Sequence, residues 1–105
     1  MIEWLQNWYN EQCDGEWEHS NVIKIESIDN PGWSVKIDFN YTDILTSDIP
    51  WKLFEKSENS WVGYSIENNV FKGAGSSLTL SLQISLFKEL VDNNRIDDTE
   101  IMIKL

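Results

Sequence analysis

Apolar residues change their spacing several times along this chain, and each change predicts an element. Met1, Trp4, Leu5 and Trp8 recur at helical spacing with Tyr9 beside them, while Glu3, Asn7, Asn10 and Glu11 fall off that stripe. This predicts an amphipathic helix over the first dozen residues. The stripe is short and has no basic flank, so it should face a protein core and not a membrane. Gly15 reads as a stop or turn. From Asn21 to Ile28 the period drops to two, with Ile23 and Ile25 on one side and Lys24 and Glu26 on the other. Asp29-Asn30-Pro31-Gly32 reads as a type II turn, with proline presetting φ and Gly32 taking the positive φ that follows it. The next strand sends Trp33, Val35, Ile37 and Phe39 one way and Ser34, Lys36, Asp38 and Asn40 the other. One buried and one wet face is the signature of an antiparallel sheet.

Residues 41–48 fit a short strand plus loop. Pro50 opens a further strand over 51–56. Another spans 61–67, with Val62, Tyr64 and Ile66 on one face. Asn68-Asn69 suits the left-handed angles of a tight hairpin turn, and 70–72 would return as a short strand. Gly73-Ala74-Gly75-Ser76-Ser77 reads as a flexible break, with either serine able to cap a following helix. That helix would carry Leu78, Leu82, Leu86 and Leu90 along one row and Leu80, Ile84, Phe87 and Val91 along the next. The alternation from Leu78 to Leu86 also fits a strand. Length and the Lys88-Glu89 end favour a helix, and Asn93-Asn94 would stop it. Ile101 to Leu105 would pair as a final edge strand. The sum is an α+β domain: a single antiparallel sheet of about five strands, with an N-terminal helix and a later helix packed on one face. Trp4, Trp8 and Trp33 are expected in the core, and Trp17 and Trp51 are open.

With 105 residues the chain is expected to form a single domain over 1–105. The six tryptophans supply much buried area to a small core. Eighteen acids against 8 bases leave a net charge of −10. That argues against nucleic acid or an anionic membrane as direct ligand, since phosphate contacts need Lys and Arg. It suits a basic protein partner. The single Cys13 allows no internal disulfide, which fits a reducing cytosol. The start of the chain has no secretory pattern, because Glu3 comes early and Gln6-Asn7 break the apolar stretch at once. No apolar run approaches membrane-spanning length. The expected compartment is the cytoplasm.

Cys13, Asp14, Glu18 and His19 invite a catalytic reading. A nucleophilic thiol wants an electropositive setting, and here Asp14, Glu16 and Glu18 are its neighbours. A sulfur-transfer loop would also want a basic residue cradling the thiol, and no Lys or Arg lies between Met1 and Asn21. One Cys and one His fall short of a zinc site, and the calcium-loop pattern is absent. Gly73-Ala74-Gly75 lacks the spacing and lysine of a phosphate loop. Nothing singles out two of the acids as a glycosidase pair. His19 reads instead as a turn residue that holds the helix-to-strand connection by a hydrogen bond. No catalytic residue, metal or cofactor is therefore expected.

WLQNWY (4–9), CDGEWEHS (13–20), KIESIDNPGWSVKID (24–38), ENSW (58–61) and VFKGAG (70–75), followed by a leucine-rich helix, resemble the immunity protein 53 family of bacterial polymorphic-toxin systems in order and spacing. The likeness covers about residues 3–91, and the segment after Asn94 extends beyond it. The resemblance implies a cytosolic bacterial protein that captures a cognate toxin domain without turnover or cofactor. Two surfaces are candidates for the contact. One is the acidic connection Asp14, Glu16 and Glu18. The other is the outer sheet face with Glu26, Lys36, Asp38, Trp61 and Glu67, where an outward tryptophan among small and polar residues would act as an anchor. The alternatives are a small thiol enzyme or sulfur carrier using Cys13, and an adaptor for a partner that is not a toxin.

Overall fold

A computed structural model describes residues 1–105. The N-terminal stripe folds as predicted, into α1 (Ile2–Gln12), with Leu5 and Trp8 buried. A one-turn helix α2 (Trp17–Ser20) follows Gly15, whose φ of 96° makes the turn. Five strands then form one antiparallel sheet: β1 (Ile23–Ile28), β2 (Gly32–Asp38), β3 (Ile49–Ser57), β4 (Ser60–Glu67) and β5 (Val70–Ser76). Their spatial order is β1-β2-β5-β4-β3, so the β1–β2 hairpin docks along the last strand of the β3–β4–β5 meander. Helix α3 (Leu80–Asn93) packs on β5 and β2, α1 packs on α3, and a short α4 (Ile101–Lys104) packs on β3.

The register explains which residues are buried. Ile37 lies opposite Phe71, and Phe71 opposite Ile66. Val35, Gly73 and Tyr64 form the next row, and Trp33, Gly75 and Val62 the one after. This is the face that α3 covers. Phe87 stands at its centre, with ring centroids of Trp8, Phe71, Trp4 and Phe39 at 4.9, 5.7, 6.1 and 6.1 Å. Trp17 packs edge-on against Trp8 at 5.9 Å, and its Nε1–H donates to the Asn40 carbonyl at 2.9 Å. Trp8 and Trp17 are buried, whereas Trp4 and Trp33 are only half-buried. Lys88 lies over the Trp4 ring at 5.8 Å, and Trp33 Nε1–H donates to the Ser77 carbonyl at 3.1 Å.

Several expectations are corrected. Gly73-Ala74-Gly75 is the body of β5, not a flexible break. Its glycines make room for the fully buried Gln83 of α3, whose Nε2 donates to the Trp33 carbonyl at 3.1 Å and to Thr79 Oγ1 at 3.2 Å. A Cβ on Gly75 would run into Thr79 Oγ1 and would sit 3.0 Å from Gln83 Nε2. Local flexibility was thus the wrong inference, and close approach of helix to sheet is the reason for the glycines. Gly32 has no positive φ and already belongs to β2, where a side chain would strike the Gly75 carbonyl.

Helix α3 starts at Leu80, two residues later than the leucine rows suggested, and Leu78 is left outside it at 97% exposure. Neither serine caps it. Ser76 is held in β5 with its Oγ between the backbone N–H and carbonyl of Trp61, and Thr79 Oγ1 donates to the Ser76 carbonyl at 2.7 Å. Asn94 ends the helix in the left-handed region at φ 57°, and Asn68-Asn69 form the tight turn at φ 52° and 60°, as their side chains suggest. Residues 41–48 contain no strand. Ile101–Lys104 is a helix and not an edge strand. It seats Ile101 in the core, and Ser60 Oγ donates to the Leu105 carbonyl at 3.0 Å.

Candidate interaction surface

No helix is seated on the opposite side of the sheet; the helices that pack on strands do so on the Phe87 side. The register assigns its residues to cross-strand rows. Asp38, Val70 and Glu67 form the row at one end. Lys24, Lys36, Lys72 and Ser65 form the next. Then come Glu26, Ser34, Ala74, Gly63 and Leu53, and finally Ile28, Gly32 and Ser76, with Trp61 and Glu55 joined to them through the Ser76 hydroxyl. The middle of this face is made of small residues. A Cβ on Gly63 would enter the ring of Trp51, so the indole lies directly over that glycine. Trp51 nevertheless remains 49% exposed and Leu53 52% exposed, with Trp61 half-buried beside them. Large apolar side chains on an open, otherwise small-residue face are interface chemistry.

Trp61 is therefore outward, as the alternation of β4 predicts. Trp51 and Leu53 were missed. The β3–β4 pairing shifts register between Ile49 and Lys52 and again between Glu55 and Ser57. Counting by twos along β3 therefore does not reveal which face each residue takes. The available signal lay across the sheet: Gly63, on the neighbouring strand, leaves the space that the Trp51 ring fills.

The acidic candidates divide by what already holds them. Asp14 Oδ1 accepts the N–H groups of Glu16 and Trp17, both at 2.9 Å. Those bonds, Trp17's first, hold the Asp14 carboxyl below its usual range. Glu18 Oε1 accepts the N–H groups of Asp14 and Gly15 at 3.1 and 3.2 Å. Its carboxyl is likewise held low, first by its own backbone amide and then by these two. Asp14 and Glu18 thus fold the α1–α2 loop, while Glu16 makes no side-chain hydrogen bond and is exposed. His19 is exposed and its ring makes no hydrogen bond, so the expected hydrogen bond from this residue is absent. The connection is held instead by Asp14, Glu18, the Trp17 indole and Asn21, whose Nδ2 donates to Asp38 Oδ1 at 3.0 Å and to the Asn40 carbonyl at 2.9 Å.

Asp38 also accepts from the Asn40 backbone N–H and side-chain Nδ2. It therefore links the end of the open face to the acidic loop. Asp14 and Glu16 share a shallow depression with Tyr41, which is 89% exposed at φ 62°. Asp38 and Glu67 flank Val70 at one end of the sheet, whereas Glu26, on the strand beside that of Asp38, and Trp61, on the same strand as Glu67, lie toward its other end.

Chemistry is harder to build. Cys13 Sγ–H donates to the Tyr9 carbonyl at 3.2 Å, one helical turn back, and makes no bond to His19. No three His, Cys, Asp or Glu side chains cluster as a metal site would require. The strongly shifted group beside the C-terminal segment has a structural cause. Burial pushes the Tyr64 phenol up, as does its hydrogen bond to Asp98 Oδ2 at 3.0 Å. The same carboxylate oxygen is 3.1 Å from Lys52 Nζ, so this group ties the C-terminal segment to β3 and β4.

The fold and this surface define a small α+β protein whose sheet is covered on one side and open on the other. The family model for immunity protein 53 matches residues 2–92, and the chain belongs to that family. Membership implies neutralisation of a toxin, with a toxin protein as partner, in a family of typically non-enzymatic inhibitors. No match was found among curated proteins or solved structures. No helix is long and apolar enough to cross a membrane.

Proposed function

We propose that this chain acts in the bacterial cytoplasm as one immunity domain that binds a cognate toxin domain stoichiometrically through the open sheet face. The observation that carries the reading is the exposed Trp51–Leu53 pair beside Trp61, on the side of the sheet that α3 does not cover. Trp61 and Trp51 act as anchors, and Glu26, Asp38 and Glu67 form the polar rim. Asp14, Glu16 and Glu18 supply a flanking acidic contact that Asp38 connects to the face. No turnover and no cofactor are needed.

The toxin is a basic protein, such as a nuclease with a phosphate-binding groove. A net charge of −10 would speed its encounter with such a partner and suppress binding to acidic ones. Titration of the toxin domain encoded beside this chain should give a complex with one toxin per immunity chain. Its association rate should fall steeply as salt rises through the physiological range. A rate indifferent to salt would remove the basic-toxin assignment. Absence of a complex would remove that toxin as the partner.

A further inference from the structure

The two edges of the sheet are finished differently. β3 carries Pro50 and two register irregularities, and α4 with the Lys52–Asp98 pair closes against it. These are the usual devices that stop a strand from pairing further. β1 has neither a proline nor a register shift, and its edge charges, Lys24 and Glu26, are of opposite sign. Its six residues are paired without interruption to β2 on one side and have no neighbouring strand on the other.

The Asp38 N–H donates to the Val22 carbonyl at 3.1 Å, which makes Ile23 and Ile37 a non-hydrogen-bonded pair. Lys24, Glu26 and Ile28 therefore spend their backbone groups on β2. The N–H and C=O groups of Ile23, Ile25 and Ser27 point outward. Beside this edge lies a mainly apolar groove of about 430 Å³, lined by Ile2, Leu5, Tyr9, Val22, Ile23 and Ile25 together with the polar Gln6, Glu18 and Asn21. Ile2 and Val22 are more than half exposed there.

We propose that this edge is a homodimer interface in which β1 pairs antiparallel with β1 of a second copy, about a twofold axis at Ile25. The charges choose this occupant. In that register Ile25 faces its own counterpart across a hydrogen-bonded pair, and Ile23 faces Ser27 of the second copy. Those are the residues whose backbone groups are free. Lys24 then stands opposite Glu26 of the second copy, and Glu26 opposite its Lys24, in the closely spaced non-hydrogen-bonded positions where side chains interact most. One strand thus carries both halves of a complementary pair, which an isologous contact requires.

Within one chain Lys24 and Glu26 already approach to 3.1 Å. Lys24 also heads a cross-strand row with Lys36 and Lys72, a like-charge alignment that a carboxylate from the second copy offsets. The groove places α1 beside residues 22–25 of β1, so the twofold axis puts the two α1 helices along opposite halves of the paired strands. The pairing yields a continuous ten-stranded sheet; it draws Glu26 at the margin of the open face into the contact and leaves Trp51, Leu53 and Trp61 of each copy free.

Sedimentation velocity of the free full-length chain, from micromolar to millimolar concentration, tests this. The wild type should form a dimer. Lys24→Glu and Glu26→Lys should each weaken it roughly ten-fold, because each turns two attractive pairs into repulsive ones. The double variant, with both reversals, should restore it. Both side chains are exposed, so folding is kept, and far-UV circular dichroism checks that. A monomeric wild type would overturn the proposal. So would a dimer that ignores the single reversals, or a double variant as weak as the singles.

Discussion

The two faces of the sheet share five strands and one alternation, yet they are finished in opposite ways. On the covered face, glycines at 73 and 75 let α3 come close, and Gln83 is laid into the space they leave. On the open face, the glycine at 63 is filled from within the sheet, by Trp51 of the neighbouring strand. The same residue type thus admits a helix on one side and an aromatic ring on the other. The first arrangement locks two layers together. The second leaves a flat, partly apolar platform that stays half exposed. Burial on one side serves stability, whereas on the other it is incomplete and leaves large apolar side chains in the open.

The largest effect that could break this contrast is at Phe87, whose ring meets four other aromatic rings. Phe87→Ala should cost about 3–5 kcal/mol of unfolding free energy by urea titration. A cost below about 1 kcal/mol would mean that the core is centred elsewhere. Gly75→Ala comes next. Its methyl group would push against Thr79 and Gln83 and should cost about 1–3 kcal/mol, read from the same titration. Trp51→Ala removes a large side chain but one that is 49% exposed, so the expected loss of stability is only about 1 kcal/mol. If its thermal midpoint falls as far as that of the Phe87 variant, the open face is structural.

The smallest effect is one of pH, and it lies on the helix that covers the first face. Burial raises the Glu89 pKa, and its Oε2 has no hydrogen-bond partner. A folded-state pKa above the unfolded one means that the native state holds this proton longer. The contribution is fully present below the ordinary glutamate range and is lost as pH rises through the raised value. Glu89→Gln should therefore stabilise the protein at neutral pH and make no difference near pH 4, measured as paired thermal melts. A constant offset at both pH values would assign the effect to packing and not to charge.

Much of the fold was readable from spacing. The α1 stripe, the alternation of β2 and β4, the Asn68-Asn69 turn and the stop at Asn94 are local signals, and each element follows its own residues. What failed depended on distant partners. Gly73-Ala74-Gly75 looks loose until Gln83, arriving from another element, is seen to need the space. The C-terminal apolar residues fit a strand as well as a helix, and contact with β3 decides for the helix. The outward placement of Trp61 was legible from β4 alone. Trp51 and Leu53 were not, because irregular pairing of β3 hides their face. The acidic loop was legible as a cluster, but not that Asp14 and Glu18 serve the backbone while Glu16 stays free.

The central claim is that the open face neutralises the toxin, and survival tests it most directly. The toxin domain encoded beside this chain would be co-expressed with the wild type and with a Trp51→Ala/Leu53→Ala variant, following growth and co-purification and checking that the variant is folded. The account predicts protection and a stable complex with the wild type, and loss of both with the folded variant, since removing central anchors costs about 2 kcal/mol or more of binding. A folded variant that protects and co-purifies as well as the wild type would contradict it.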